Sequence, residues 1–203
     1  MHLSLIKVLE RIKLAQELKP GPILVAIDGG SGSGKSTLAN SISGFVDAIV
    51  VPLDDFFSNT ICESEWECFT TKEKLENVFD WQRLRHSVLL PLLKGVPVKW
   101  QSFDFAFGTQ GDGSYRLKLD FTHRQPAKVI LLEGAYSFSP ELSDLVDLSI
   151  LVDVKTSVRH SRLALREKKE FLDKWHDRWD DVEKLYYSEI RPEQLYDLVL
   201  NCD

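Results

Sequence analysis

A glycine-rich segment at residues 29–37 has the residue types and the spacing needed to bind phosphate groups. It fits the pattern G-x-x-x-x-G-K-[ST], which ends here at Lys35 and Ser36. In such a loop, backbone N–H groups point at phosphate oxygens, the lysine reaches the β- and γ-phosphates, and the hydroxyl holds Mg²⁺. The pattern predicts a site for a nucleoside triphosphate and Mg²⁺, and its residues are Gly29, Gly30, Ser31, Gly32, Ser33, Gly34, Lys35, Ser36 and Thr37.

The residues on either side of this loop support the same interpretation. The apolar run at 23–27 is typical of a buried strand, and residues 38–42 are typical of a helix, whose positive dipole end would face the phosphates. The alternative is a flexible Gly/Ser linker. A linker would not place Gly-Lys-Ser-Thr after a buried strand, so the phosphate-binding interpretation is favoured.

Carboxylates follow two further apolar runs of the chain. Asp54 and Asp55 come at the end of a predicted strand at 48–53, and Glu133 follows another at 128–132. A carboxylate of the first pair could accept a proton from a hydroxyl or orient Mg²⁺, and Glu133 could bind Mg²⁺ directly or through water. The alternatives are that the aspartates cap a turn and that Glu133 is a solvated strand end.

The C-terminal region has basic and aromatic residues at helical spacing. Arg159, Arg162 and Arg166 are three and four residues apart, so they share one face of a predicted helix. Such a face could neutralise charge that develops during phosphoryl transfer, and the alternative is a solvated face with neighbouring glutamates. Trp175 and Trp179 are four residues apart and are interpreted as structural packing.

A second group of aromatic residues lies in the middle of the chain. It comprises Trp100, Phe103, Phe105, Phe107 and Tyr115. Aromatic walls suit a planar or apolar acceptor molecule, whereas the alternative is an ordinary β-sheet core.

Strands that alternate with helices must position all of these residues. We expect helices over 1–20, 35–43, 80–93, 156–172 and 177–190. The expected strands are 22–28, 48–53, 128–132, 148–152 and 198–200. Between them we expect an irregular excursion over 58–72 and a hairpin-like insertion over 96–121. The alternation predicts a parallel sheet with helical crossovers, in which ligands bind at the carboxyl ends of the strands. The acidic residues at four strand ends should therefore meet in one cleft, namely Asp28, Asp54, Glu133 and Asp153.

Composition limits the remaining possibilities. The chain has 203 residues, 25 basic and 31 acidic, and a net charge of −6, which predicts one domain over 1–203 and argues against nucleic-acid or membrane partners. There is no membrane-length apolar run and no signal-peptide pattern. The three cysteines do not form a C-x-x-C pattern, and the five histidines do not have the spacing of metal ligands. Neither a disulfide framework nor a zinc site is therefore indicated. These features favour a cytoplasmic protein.

Several motifs, taken in order, resemble the uridine kinase and phosphoribulokinase-like family of phosphate-loop kinases. Besides the loop, the first of them is Asp54-Asp55-Phe56-Phe57, which is similar to Asp-x-Phe-Tyr. Phe79-Asp80-Trp81 and Arg83-Leu84-Arg85 are similar to the Phe-Asp-x-Pro region, and Phe103-Asp104-Phe105 is similar to Tyr-Asp-Phe. Leu132-Glu133-Gly134 matches the Leu-Glu-Gly after the central strand, and Val152-Asp153 with the three arginines resembles the lid. The resemblance covers nearly the whole chain from about residue 20.

This resemblance implies a P-loop nucleoside triphosphate hydrolase-type three-layer α/β sandwich. Its parallel five-stranded sheet would be flanked by helices, with the small β insertion at 96–121 and a helical lid over 156–175. The phosphate donor would be ATP, and the metal would be Mg²⁺. The expected site residues are Asp54, Lys35, Arg162 and Arg166 for catalysis; Ser36, Glu133 and Asp54 for the metal; and Asp80, Phe103 and Phe105 for the acceptor. In this scheme Asp54 orients or deprotonates the acceptor hydroxyl.

Three departures from the family pattern concern the acceptor and the lid. Gly108 stands where nucleoside kinases of the family have a histidine that helps to read the base, and Phe103 replaces the tyrosine. The lid has Arg166-Glu167-Lys168-Lys169 in place of Arg-Gly-Arg. A site that loses hydrogen-bonding groups loses discrimination, so kinase activity is indicated more strongly than uridine as its substrate.

The leading hypothesis is an ATP-dependent phosphotransferase that acts on a hydroxyl of a nucleoside or another small metabolite. One alternative is a nucleotide-dependent switch or ATPase, although neither D-x-x-G after the loop nor N-K-x-D is present. Another is a nucleotide-binding module without a small-molecule acceptor. The sequence leaves the acceptor and the oligomeric state open.

Overall fold

A computed structural model describes residues 2–166 and 169–202, and of residues 2, 3, 166 and 169–171 it describes the backbone alone. The strands are β1 (Ile23–Asp28), β2 (Ala48–Pro52), β3 (Val98–Phe103), β4 (Leu117–Arg124), β5 (Val129–Glu133), β6 (Leu148–Asp153) and β7 (Leu198–Asn201). Five of them form a parallel sheet in the order β2-β5-β1-β6-β7, and β3 and β4 form a separate antiparallel hairpin. This architecture confirms the predicted fold class.

Helices connect and cover the strands. They are α1 (His2–Leu18), α2 (Lys35–Ser43), α3 (Glu63–Cys68), α4 (Thr71–Asn77), α5 (Trp81–Leu84), α6 (Leu90–Leu93), α7 (Thr156–Arg166) and α8 (Lys169–Leu185). A π-helical segment, Arg85–Leu89, joins α5 to α6, and another, Tyr186–Ile190, continues α8. Two short 3₁₀ segments follow β2 and precede β7 at Leu53–Phe56 and Glu193–Leu195.

Alternating side chains of the central strand β1 separate two apolar cores. Val25 and Ile27 pack with Val8 of α1 and Ile42 of α2 on one face of the sheet. Leu24 belongs to the core on the opposite face, which the helices α3 to α6 and the end of α8 cover with leucines and aromatic side chains. Buried strands that are apolar on both faces are typical of a parallel sheet between two helical layers.

The predicted irregular excursion at 58–72 is wrong, because this region contains α3 and the start of α4. A capping box begins α4: Thr70 Oγ1 accepts from the Glu73 N–H at 3.3 Å, and Glu73 Oε2 accepts from the Thr70 N–H at 2.9 Å. These bonds satisfy backbone donors that the first helical turn leaves without partners.

The C-terminal helices also differ from the predicted bounds. Residues 173–176, predicted to separate two helices, are helical because α8 includes them, and the α-helix gives way to the π-helical segment at Tyr186. Within the described part of the chain, no helix is both long and apolar enough to cross a membrane.

Candidate functional site

The glycine-rich loop leaves the carboxyl end of β1 and enters α2 at Lys35, as its motif predicts. The Lys35 side chain is buried, and its Nζ donates to the carbonyl of Gly30 at 3.0 Å. Burial lowers the pKa of Lys35, and four surrounding carboxylates oppose that shift, namely Asp54, Glu133, Asp28 and Glu183. The loop therefore encloses one ammonium group within a ring of acidic side chains.

Ser36 lies in the first turn of α2, and two of these carboxylates, Glu133 and Asp54, lie at or just after the ends of the adjacent strands β5 and β2. The Ser36 hydroxyl donates to Glu133 Oε2 at 3.0 Å, and Asp54 lies in the 3₁₀ segment after β2. Burial, followed by the charge of Asp54, raises the pKa of Glu133, whereas Lys35 and Ser36 oppose this shift. A hydroxyl and two carboxylates are the hard oxygen donors that Mg²⁺ prefers, so this donor set fits the metal.

The backbone at Gly134 allows the two acidic residues to approach each other. Gly134 has φ +156°, and a Cβ at this position would lie only 2.5 Å from the Cβ of Leu53. The end of β5 can therefore pass directly beside Leu53, which precedes Asp54 in the chain. A side chain at 134 would collide with Leu53, the neighbour of Asp54 in the chain, so this position requires glycine.

The neighbouring acidic residues Asp54 and Asp55 have different environments. Asp54 is exposed and lines the cleft above the loop. Asp55 accepts a hydrogen bond from Trp100 Nε1 at 2.7 Å, which fixes it against the hairpin. Of the two, Asp54 is the carboxylate that an acceptor molecule in the cleft can reach.

The predicted arginine face consists of residues with unlike contacts. Arg159 is buried, where its Nη1 donates to the Ser31 carbonyl at 3.0 Å and pairs with Glu183 Oε2 at 2.9 Å. Arg162 is exposed at the cleft and donates from Nη1 to the Gly32 carbonyl at 3.2 Å. Arg166 ends α7, and its side chain lies outside the described residues.

Glu183 is a loop contact that sequence reasoning missed. Its Oε1 accepts from the Ser31 N–H at 2.9 Å, while its Oε2 pairs with Arg159. A helix near the C-terminus thus holds the backbone of the phosphate loop from the side. No local motif marks this glutamate, because its partners lie far away along the chain.

Asp28 forms a buried anchor beneath the loop. Its carboxylate accepts from the backbone N–H groups of Gly29, Tyr136 and Phe138 at 2.7 to 3.0 Å. Three tyrosine hydroxyls also donate to it at 2.7, 2.8 and 3.0 Å, and they belong to Tyr186, Tyr187 and Tyr196. Burial, together with the negative charge of Asp28, raises the pKa of all three phenols, so they remain donors at neutral pH.

A cleft of about 940 Å³ extends from the loop and continues beside a second cavity of about 390 Å³. Four aromatic side chains line both, namely Phe57, Phe105, Trp175 and Trp179. Phe57 is at the centre, with ring centroids 5.7 Å from Phe105 and 5.7 Å from Trp179. The two tryptophans, expected only to pack, thus also form cavity walls.

The three residues predicted for acceptor binding have different positions. Phe105 lines both cavities, and Phe103 lines the second together with Gly108. Asp80 begins α5, where its Oδ1 accepts from the Arg83 N–H at 2.9 Å, and it is not among the described residues that line either cavity. The structure thus brings together the two aromatic residues but not the aspartate.

The sheet order and the glycine-rich loop between β1 and α2 define a P-loop nucleotide-binding protein of the α/β class. The chain belongs to the Phosphoribulokinase / Uridine kinase family, whose sequence profile matches residues 24–171. This match confirms the resemblance found in the ordered motifs.

Individual relatives agree with this assignment. The chain is 30% identical over 179 residues to a uridine kinase from Bacillus pumilus (strain SAFR-032), covering 86% of this chain and 80% of the relative. A possible uridine kinase from Bacillus stearothermophilus has a TM-score of 0.64 and 19% identity, covering 96% of this chain and 100% of that chain. A candidate fructose transport system kinase from Silicibacter sp. TM1040 has a TM-score of 0.57 and 22% identity, covering 94% and 98%. The two structural likenesses show a shared fold.

Proposed function

We propose that this protein transfers the γ-phosphate of ATP to a hydroxyl of a small metabolite, with a nucleoside as the leading acceptor class. The observation that carries the proposal is the position of Asp54. Its exposed carboxylate stands beside Lys35 and Glu133 at the point where the phosphate loop meets the aromatic cleft. A donor phosphate and an acceptor hydroxyl can therefore meet at this carboxylate.

The proposed reaction is an in-line displacement at the γ-phosphorus. The acceptor hydroxyl oxygen forms the new bond, the bond to the β–γ bridging oxygen breaks, and the hydroxyl proton passes to Asp54. Lys35 and Arg162 stabilise the negative charge of the transferring group. Ser36 and Glu133 would hold Mg²⁺, which supplies charge neutralisation at the phosphates when bound, and Asp54 then remains available as the base.

The cavity walls support a planar acceptor. Phe105, Trp175 and Trp179 offer ring faces on which a nucleobase can stack, and the aligned relative from Bacillus pumilus is named a uridine kinase. Gly108 lines the same cavity at the position where nucleoside kinases of the family have a histidine. We therefore propose that stacking contributes more than base-specific hydrogen bonds to acceptor binding.

The first experiment measures ADP release with ATP and Mg²⁺ against a panel of uridine, cytidine, other nucleosides, sugars and polyols. Acceptor-dependent release, with a phosphorylated product identified by mass spectrometry, supports the proposal. Release at the same rate without any acceptor contradicts it and favours an ATPase or switch. ATP binding without release favours a binding module.

Replacement of the proposed base provides the second test. Asp54→Asn should lower kcat by about 10²–10⁴-fold, because the amide cannot accept the hydroxyl proton. ATP affinity, measured by calorimetry, should stay close to that of the unmodified protein. The matched control is Asp120→Asn on an exposed site of β4, which should leave both quantities unchanged. Normal turnover in Asp54→Asn would remove Asp54 from the mechanism.

A further inference from the structure

Two histidines and an aspartate from different helices meet where α7 contacts α8. His160 is on α7, whereas His176 and Asp180 are on α8. The distance from His176 Nδ1 to Asp180 Oδ1 is 3.0 Å, and that from His160 Nε2 to Asp180 Oδ2 is 3.8 Å. The imidazole ring centroids are 4.0 Å apart. This group contributes nothing to the phosphate-transfer chemistry described above.

Residue types and spacing match those of a transition-metal site. Two imidazole nitrogens and one carboxylate oxygen are ligands that Zn²⁺ and its neighbours in the first transition row accept. His176 and Asp180 are four residues apart on a helix, so both side chains project from one face. His160 then supplies a third ligand from the facing helix.

The donor atoms of the three residues lie near the separations that binding of one metal ion requires. Zn²⁺ binds such donors at about 2.0–2.2 Å, so two donors to one ion lie at most about 4.3 Å apart. One donor atom from each of the three residues can be chosen so that all three lie within 4.8 Å of one another. Because the limit of 4.8 Å exceeds this separation, the donor atoms must move closer to bind one ion, and the ion would replace the hydrogen bond between His176 and Asp180. Both histidines are partly buried and Asp180 is exposed, which leaves room for water as a fourth ligand.

We propose that His160, His176 and Asp180 bind a divalent transition-metal ion that clamps α7 against α8. The site differs in chemistry from the all-oxygen set at Ser36 and Glu133, so the two should prefer different ions. The bound ion would also affect the phosphate loop indirectly. Arg159 of α7 and Glu183 of α8 pair with each other, and both bond to Ser31, so the ion would stiffen the helix pair that holds the loop.

The experiment uses tag-free, chelator-treated full-length protein and titrates Zn²⁺ by calorimetry in the presence of excess Mg²⁺. We expect saturable binding of one ion per chain. His160→Ala and His176→Ala should each weaken it by about 100-fold or more, since each removes a direct ligand. The control His123→Ala changes an exposed histidine on β4 and should bind as the unmodified protein does. Equal affinity in all variants, or no saturable binding, overturns the proposal.

A second measurement does not depend on variants. X-ray absorption at the zinc edge of the unmodified complex should show nitrogen and oxygen ligands, with imidazole scattering from two histidines. Sulfur in the first coordination sphere would assign the ion to a cysteine and overturn the proposal. Amide hydrogen exchange in α7 and α8 should slow when Zn²⁺ binds, and unchanged exchange would contradict the clamp.

Discussion

At the scale of single residues, Glu133 lies in an environment that disfavours its charge. The side chain is partly buried at the end of β5, and the nearby Asp54 carboxylate has the same sign. The single Lys35 ammonium opposes both effects without cancelling them. Such a cluster of acidic groups is costly for the folded protein but suits a site that receives a divalent cation.

Glu133→Gln should therefore stabilise the protein against urea in EDTA at neutral pH. The pKa of folded Glu133 lies above its ordinary value of 4.5. The unmodified protein consequently loses stability as the pH rises from that value through the folded pKa, because the carboxyl must ionise where burial resists it. The amide does not ionise and can still accept from Ser36. The gain in stability should widen as the pH rises across this window and vanish below about 4.5.

Urea midpoints measured over a pH series test this expectation. Glu10→Gln, at an exposed site on α1, serves as the control and should show no such pH dependence. The same Glu133 variant should bind Mg²⁺ more weakly, because it loses a charged oxygen donor. A stability difference that is constant at every pH would contradict this account of Glu133.

The residues of the phosphate loop could be identified from the sequence. The residues that hold the loop in place from other parts of the chain could not be fully identified in this way. Lys35 and Ser36 belong to a contiguous motif, so their chemistry could be inferred without knowing the fold. Arg159 was assigned only to a general arginine face, and Glu183 was missed altogether. Their roles come from contacts with Ser31 over 128 and 152 residues of chain, and no local pattern encodes such contacts.

At the scale of elements, α7 presents two arginines to the loop for different reasons. Arg159 is enclosed by Ser31, Glu183 and the carbonyl of Val154, so its guanidinium is part of the packing between α7, α8 and the loop. Arg162, one turn later, faces the open cleft. One helix face can thus combine a structural residue with a candidate catalytic one.

Alanine substitutions should separate these two contributions. Arg159→Ala should lower the free energy of unfolding by about 3–5 kcal/mol, because it leaves the buried Glu183 carboxylate without its cationic partner. Arg162→Ala should change that free energy by no more than about 0.5 kcal/mol. It should nevertheless lower kcat by about 10²–10³-fold through loss of a charge near the transferring phosphate. Chemical denaturation and steady-state kinetics on both variants measure the difference, and unchanged kcat in Arg162→Ala would exclude it from catalysis.

The bounds of helices and strands could be predicted where the apolar pattern was strong. The prediction failed where capping side chains determined the start of a helix. The core strands β1 and β5 were found because each is a continuous apolar run. The region at 58–72 looked irregular because its residues are polar, yet the Thr70 and Glu73 side chains begin a helix there.

Helix α3, in the same region, also contributes to the candidate site. Its Glu63 binds Arg178 of α8 at 2.7 Å and so connects α8 to the wall of the second cavity.

At the scale of the whole molecule, the acceptor side of the cleft is assembled from four segments of the chain. Phe57 follows the 3₁₀ segment after β2, the hairpin contributes Phe103 and residues beyond it, α3 contributes Glu63, and α8 contributes Trp175 and Trp179. The phosphate side, in contrast, comes from the ends of adjacent parallel strands. The phosphate half therefore depends on the sheet and on the support that Arg159 and Glu183 give to the loop, while the acceptor half depends on how α8 and the hairpin pack together.

This division predicts that removing the cavity-lining side chain of Trp175 affects acceptor binding alone. Trp175→Ala should raise the KM for a nucleoside acceptor about tenfold, because stacking of a base on an aromatic ring contributes about 1–3 kcal/mol. It should leave kcat and the affinity for ATP close to those of the unmodified protein, since Lys35 and Asp54 are not altered. Phe121→Ala on the exposed face of β4 is the matched control and should change none of these quantities. Equal loss of ATP and acceptor affinity in Trp175→Ala would mean that Trp175 supports the whole cleft rather than the acceptor half.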